Sequence, residues 1–194
     1  MGKKGPSRHL KRYAVPQTLK LPRKRLPWAI KPAPGPHPAD KSIPLGTLVK
    51  EYLNLTEKLK ETKRVLAGRK VMVDGKVRTD LKFPVGLMDV VSIVPLNTHY
   101  RISVDRNGRL VPIQIRDSDA SFKLCKVVGK HVVKGGRIQL AFHDGRTVVG
   151  DFGDYRRGDT VRLSIPEPKV LERIPFERGA VSYTHLTLPT KRIV

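Results

Sequence analysis

Apolar and polar positions change their spacing twice along this chain. Up to about residue 41 the apolar residues recur at no fixed interval, and prolines at 6, 16, 22, 27, 32, 34, 36 and 38 exclude a long helix and favour extended backbone. From Ile43 the spacing turns helical. Leu45, Leu48, Val49, Tyr52 and Leu53 follow Pro44 at intervals that predict a helix running to Asn54. A second helix is predicted from an N-cap at Thr56 to Gly68, with Leu55, Leu59, Thr62 and Leu66 on one stripe. Lys60, Lys63 and Arg64 gather along one flank of that stripe, with Glu57 and Glu61 beyond them.

Past Gly68 the alternation becomes that of strands. Val71 and Val73 alternate with Met72 ahead of Asp74-Gly75, a tight-turn pair. Phe83 to Gly86 reads as a loop and Asp89 to Val94 as a strand. Tyr100 to Val104 and Arg109 to Ile115 flank Asp105-Arg-Asn-Gly108 as a hairpin. Lys123 to Val128, Arg137 to Phe142, Thr147 to Val149 and Thr160 to Ile165 follow, separated by Gly135-Gly136, His143-Asp-Gly145 and Arg157-Gly-Asp159. Strands this short predict a small barrel-like β domain. The expected fold class is α+β. It comprises an extended basic N-terminal arm (1–42), two helices with a short sheet (43–95), a mainly β domain (96–176) and a remainder (177–194).

Charge gives this plan a partner. The 194 residues carry 39 Lys plus Arg against 17 Asp plus Glu, a formal net charge of +22. Self-repulsion of that size calls for a polyanion, and nucleic acid fits best because each neutralised phosphate also releases counterions. The arm holds Lys3, Lys4, Arg8, Lys11, Arg12, Lys20, Arg23, Lys24, Arg25, Lys31 and Lys41 against Asp40 alone, an excess of ten. Free in solution it is expected to be disordered, ordering along RNA. Trp28 and Tyr13 among these cations suit stacking on a base or seating the arm on the body. The candidate RNA contacts are Lys3, Lys4, Arg8, His9, Lys11, Arg12, Arg23, Lys24 and Arg25 in the arm. Lys60, Lys63, Arg64, Arg69, Lys70, Lys76 and Arg78 follow in the helical unit, and Lys130, Lys134, Arg137 and Arg146 at the β turns.

Other classes fit poorly. No apolar run approaches the ~20 residues of a membrane span, and no apolar region follows the basic start as in a secretory signal. Cys125 is the only cysteine, and His99, His131 and His143 stand singly, so neither a disulfide framework, a metal site nor a cofactor is expected. A reducing, cytoplasmic home follows. Catalysis lacks its parts. Gly135-Gly136 leads into a strand, not into a helix as a cofactor loop would, and Asp144 reads as a turn acid. Cys125 and His131 could be drawn as a nucleophile pair, but Cys125 sits in an apolar strand as a core residue would.

Residues 43–94 resemble the alpha-L type RNA-binding module of bacterial ribosomal protein four, some pseudouridine synthases and tyrosyl-tRNA synthetases. The resemblance is carried by the basic second helix, Val73-Asp-Gly-Lys-Val77 and Gly86-Leu-Met-Asp-Val-Val91. A wider set of motifs occurs in order: Gly2-Lys-Lys-Gly-Pro-Ser-Arg-His-Leu-Lys-Arg12, Lys31-Pro-Ala-Pro-Gly-Pro-His37, Val73 to Val77, Phe83-Pro-Val-Gly-Leu-Met-Asp89, Leu124-Cys-Lys126, and Lys134-Gly-Gly-Arg-Ile-Gln-Leu140 with His143-Asp-Gly-Arg146. Together, over roughly residues 2–181, they resemble ribosomal small-subunit protein four of the archaeal and eukaryotic kind, the archaeal form more closely.

That resemblance implies a structural constituent of the small ribosomal subunit. It would bind 16S/18S-type rRNA and contact neighbouring ribosomal proteins, without membrane, small-molecule substrate or obligate self-association. It also implies a C-terminal KOW-type barrel. Residues 182–194 lack that domain's glycines and read as a non-native tail resembling translated sequencing adapter, on a chain truncated before the barrel. The competing readings are a free RNA chaperone and an accessory module of an RNA-modifying enzyme.

Overall fold

Residues 9–176 are described by the structure, a computed structural model of the chain. β1 (Leu10–Lys11) and β2 (Trp28–Ala29) make a short ribbon, and β3 (Ser42–Pro44) runs into α1 (Leu45–Thr47) and a π-helical turn (Leu48–Tyr52). α2 (Leu59–Ala67) leads to β4 (Val71–Val73), β5 (Lys76–Val77), β6 (Pro84–Gly86), β7 (Val90–Ile93), β8 (Thr98–Val104) and β9 (Leu110–Ile115). α3 (Asp117–Ala120) precedes β10 (Phe122–Val132), β11 (Ile138–Phe142), β12 (Thr147–Gly150), β13 (Thr160–Ser164) and β14 (Val170–Ile174).

The first helix begins behind Pro44 as expected, but it widens at its end. The N–H of Leu53 donates to Leu48 O at 3.0 Å, one residue beyond the α-helical step. Asn54 then takes a left-handed φ of 51° and stops it. The second helix starts later than Thr56. That hydroxyl is engaged by Thr62 Oγ1 at 2.7 Å. The Glu61 carboxylate instead accepts the N–H groups of Lys58 and Glu57, each at 3.1 Å, and so closes the helix start from inside. Those bonds, Lys58 first, hold the Glu61 carboxyl below its ordinary range. Thr62 and Leu66 are buried as the stripe predicts, whereas Leu55 and Leu59 are exposed. At the far end Gly68 stays right-handed and Arg69, with φ 55°, makes the left-handed exit.

Two five-stranded antiparallel sheets organise the body, in the orders β5-β4-β7-β8-β9 and β12-β11-β10-β13-β14. The Asp105–Gly108 turn joins β8 to β9 as read from sequence, with Val104 opposite Leu110. That hairpin therefore completes the first sheet, and the expected boundary at 95/96 falls between two hydrogen-bonded neighbours, β7 and β8. In the second sheet β10 is shared. Phe122 to Lys126 pair with β13, and Val127 to Val132 pair with β11 across a bulge. The bulge bends the strand and gives this sheet its half-barrel curl. The stretch expected as a loop, Phe83 to Gly86, contains β6, which pairs with β3 so that Ile43 faces Val85 and both are buried. Three-residue strands such as these, β3 ending and β6 beginning in proline, are too short to display alternation.

The described part of the arm, from residue 9 onward and expected to be disordered, is extended but packed. Leu10 and Ala29 pair across the ribbon and pack on the first core, into which Val15 and Leu19 are fully inserted. Leu19 bridges Leu110, and Leu110 N–H donates to Thr18 O at 2.8 Å. The arm residues are placed by contacts with the body, as Leu19 is by Leu110, and not by a regular element of their own. Farther along, His37 lies across β6. A Cβ on Gly86 would stand 2.3 Å from the His37 ring, so only glycine leaves room.

The first core gathers Ile43, Leu45, Leu48, Val49, Leu66, Val71, Val85 and Ile102 beneath the helices; the second gathers Cys125, Val127, Leu140, Phe142, Val161 and Leu163. The sheets meet where Arg101 of β8 donates to Phe122 O at 3.0 Å and lies over the Phe122 ring. Among the described residues no helix is long and apolar enough to cross a membrane.

Candidate nucleic-acid interface

α2 carries a compact set of exposed cations. Burying Thr62 and Leu66 turns Lys60, Lys63 and Arg64 to solvent together, and Arg69 and Lys70 continue the exposed run past the helix end. Arg78 N–H donates to Val71 O at 3.2 Å, which brings the β5 hairpin, with Lys76 exposed at its turn, beside that run. Asp74 and Gly75 both adopt positive φ there, the conformation that the Asp-Gly pair predicts. Lys60, Lys63, Arg64, Arg69, Lys70 and Lys76 thus belong to one contiguous stretch of fold. Arg78 differs, being half-buried with its guanidinium 4.5 Å from the Phe83 ring centroid.

In the arm, His9, Lys11, Arg23, Lys24 and Arg25 are exposed. Arg12 is not: it is 1% exposed, donates through Nε to Pro22 O at 2.6 Å and forms an ion pair with Glu51. Its expected RNA contact is corrected to a structural tie that fastens the arm to the first helix. Substituting Arg12 with Met is expected to lower stability by about 2 kcal/mol, the worth of hydrogen bonds to a charged group. RNA affinity should stay unchanged under conditions where the variant is folded. Urea unfolding and RNA titration on the same samples check this, and a parallel loss of affinity by the folded variant would return Arg12 to the interface.

A cleft of about 880 Å³ opens between the arm and the β8–β9 hairpin, and its lining includes Lys20, Arg23, Tyr52 and Arg109. Nothing local in the sequence brings Lys20 and Arg109 to one cleft; the Leu19–Leu110 bridge joins the two segments that carry them. Tyr52 accepts the Lys20 N–H at 2.8 Å, and burial pushes its phenol up to about 12.

Of the turn cations, Lys134 and Arg137 are exposed, whereas Lys130 and Arg146 are turned inward. Lys130 Nζ donates to Gly153 O at 2.6 Å and Tyr155 O at 3.1 Å, holding the loop before β13. Arg146 lies 2.7 Å from Asp74 Oδ2 and 3.3 Å from Asp144 Oδ2. Both are half-buried and engaged within the fold, unlike the open turn positions expected from sequence. Lys3, Lys4 and Arg8 lie outside the described residues.

Arg146 belongs to a buried cluster with no sequence signature. Lys123 Nζ stands 2.5 Å from Asp89, 2.9 Å from Asp74 and 2.9 Å from Asp144, and His37 Nε2 is 3.1 Å from Asp89. Burial alone would lower the Lys123 ammonium, but the three carboxylates reverse this and hold it above the ordinary lysine range. Asp89 is drawn down against its own burial, by Lys123 and His37, to about 2. Asp74 goes the other way, pushed up by burial and by the Asp89 charge. The ammonium fills the centre of this set, and among the described residues no His, Cys, Asp or Glu group is arranged to hold a metal ion. Cys125 is fully buried beside Asp144, and burial pushes its thiol up. His131 lies six residues farther along the same strand, roughly 20 Å at strand rise, too far for a nucleophile pair.

Comparison with known proteins identifies the family. A family model described as Ribosomal family S4e matches residues 96–170, and one described as the RS4NT (NUC023) domain matches residues 4–40. Small ribosomal subunit protein eS4 of Methanocaldococcus jannaschii is 44% identical over 191 residues, covering 94% of this chain and 78% of the relative. That of Korarchaeum cryptofilum is 42% identical, covering 93% and 77%. The chain belongs to the S4e family of small-subunit ribosomal proteins. The crystal structure of the S4e protein of Thermoplasma acidophilum matches with a TM-score of 0.64 at 37% identity, covering 76% of this chain and 78% of that one. These S4e relatives are archaeal, in line with the closer resemblance of the ordered motifs to the archaeal form. The S4e match begins at residue 96 although hydrogen bonding runs on from β7 into β8, so this boundary is one of sequence families. The expected KOW region and tail lie outside the described residues.

Proposed function

We infer that this S4e-family chain is a structural constituent of the small ribosomal subunit that grips small-subunit rRNA by its phosphates. The observation that carries this is the exposed series Lys60, Lys63, Arg64, Arg69 and Lys70, fixed on one helix and its exit turn. Helix and turn hold the cations at set positions, so they match a structured backbone with little ordering cost, and phosphate contacts set register without reading sequence. The exposed arm cations and Lys134 and Arg137 extend the same chemistry. In this reading the protein works in the cytoplasm on the ribosome, beside other ribosomal proteins, with no catalytic role of its own.

The test is competition binding of the full chain to small-subunit against large-subunit rRNA at about 0.15 M salt. A preference of roughly ten-fold or more for small-subunit rRNA is expected. Equal binding to both would favour the RNA-chaperone alternative.

A further inference from the structure

The β1–β2 ribbon has two faces set by strand alternation. Leu10 pairs with Ala29, and both pack inward on the first core; Lys11 pairs with Trp28, and both point outward. Trp28 is the chain's single tryptophan and is 54% exposed. Its ring lies 5.8 Å from that of His9 at a 58° tilt. Arg12, next along, is fixed by Pro22, Pro27 and Glu51, so the ribbon cannot roll to hide the indole. Seating the arm is done by Leu10, Val15, Leu19 and Ala29. Trp28 is not needed for that task.

The surroundings select a ligand. Tyr13, 72% exposed, accepts Arg23 Nη1 at its carbonyl, and Lys24 and Arg25 follow in the exposed turn. No acidic residue occurs between Lys11 and Lys31. An indole face held among cations matches a nucleobase flanked by phosphates. A duplex keeps its base faces stacked, so the base must be unpaired. We propose that Trp28, held outward beside Lys11 on the β1–β2 ribbon, is a stacking site for one unpaired nucleobase of the bound RNA. The site rests on the rRNA-binding reading and adds an element of base contact to it.

Because Trp28 is the only tryptophan, indole emission of the full chain reports this site alone. The chain is titrated with a labelled oligoadenylate of about ten nucleotides, with RNA anisotropy and tryptophan emission recorded together. Emission is expected to fall by roughly half or more as binding saturates, and an abasic strand with equal phosphates should bind without quenching. Trp28→Ala should weaken oligoadenylate binding about ten-fold with its salt dependence unchanged, and Trp28→Phe should recover most of the loss. Binding with unchanged emission, or equal quenching by the abasic strand, would overturn the site while leaving rRNA binding intact. Failure to bind both the oligonucleotide and small-subunit rRNA would overturn the rRNA reading and the site with it.

Discussion

Lys123→Met is expected to lower the free energy of unfolding by about 3–5 kcal/mol, the usual cost of leaving buried charges without their partner. Lys123 is 1% exposed and its ammonium stands among three carboxylates drawn from both sheets. Asp74 and Asp89 come from the first unit, Asp144 from the β11–β12 turn, and His37 ties in the arm. Removing the ammonium leaves Arg146, at the edge of the cluster, as the remaining strong cation. Denaturant unfolding of both proteins across pH measures the effect.

The pH dependence has a definite sign. The low value of Asp89 in the folded protein means that it contributes stability above the unfolded carboxylate value near 3.9, lost as pH falls through about 2. Asp74, raised, works against this over its own range. Lys123 contributes fully below the unfolded lysine value near 10.4, and its contribution is lost as pH rises through its higher folded value. In the variant the carboxylates lose their counter-charge and take up protons more readily. The deficit should therefore be largest near pH 7 and shrink toward pH 4. A deficit under 1 kcal/mol at pH 7, or one that grows on acidification, would contradict the cluster's role.

Changing Lys60, Lys63 and Arg64 together to Ala is expected to weaken rRNA binding about 100-fold at 0.15 M salt. Each phosphate contact contributes about 0.9 to the logarithmic salt slope, worth about five-fold in affinity at that salt. The three side chains are exposed, so stability should move by no more than about 0.5 kcal/mol per residue. Binding measured against rRNA, with circular dichroism confirming the fold, separates this from unfolding. Deleting residues 1–41 would be a poor test of the arm, because it would take Val15 and Leu19 out of the core.

What was legible in the sequence was local. The α2 cations share a flank because helical spacing puts them there, and the Asp74-Gly75 and Asp105–Gly108 turns announce themselves by residue type. The family, too, could be read from ordered motifs. Joints between distant segments were not legible. Asp144 does accept Arg146 N–H at 3.1 Å, as a turn acid should, but its second oxygen faces Lys123, which no local pattern predicts. Arg12 looks like any other arm cation until Glu51 is folded beside it. β6 is three residues long and pairs with β3, far back in the chain, so it shows no period of its own. A basic residue's type thus indicates a polyanion, and only the fold separates cations that face it from those that hold the protein together.

The salt dependence of full-chain binding to small-subunit rRNA tests the central claim most directly. A log–log slope steeper than about −5 is predicted for the several phosphate contacts proposed, flattening by about 2 to 3 when Lys60, Lys63 and Arg64 are replaced. A shallow slope, or one that the triple substitution leaves unchanged, would contradict the claim that this helix face grips the RNA backbone.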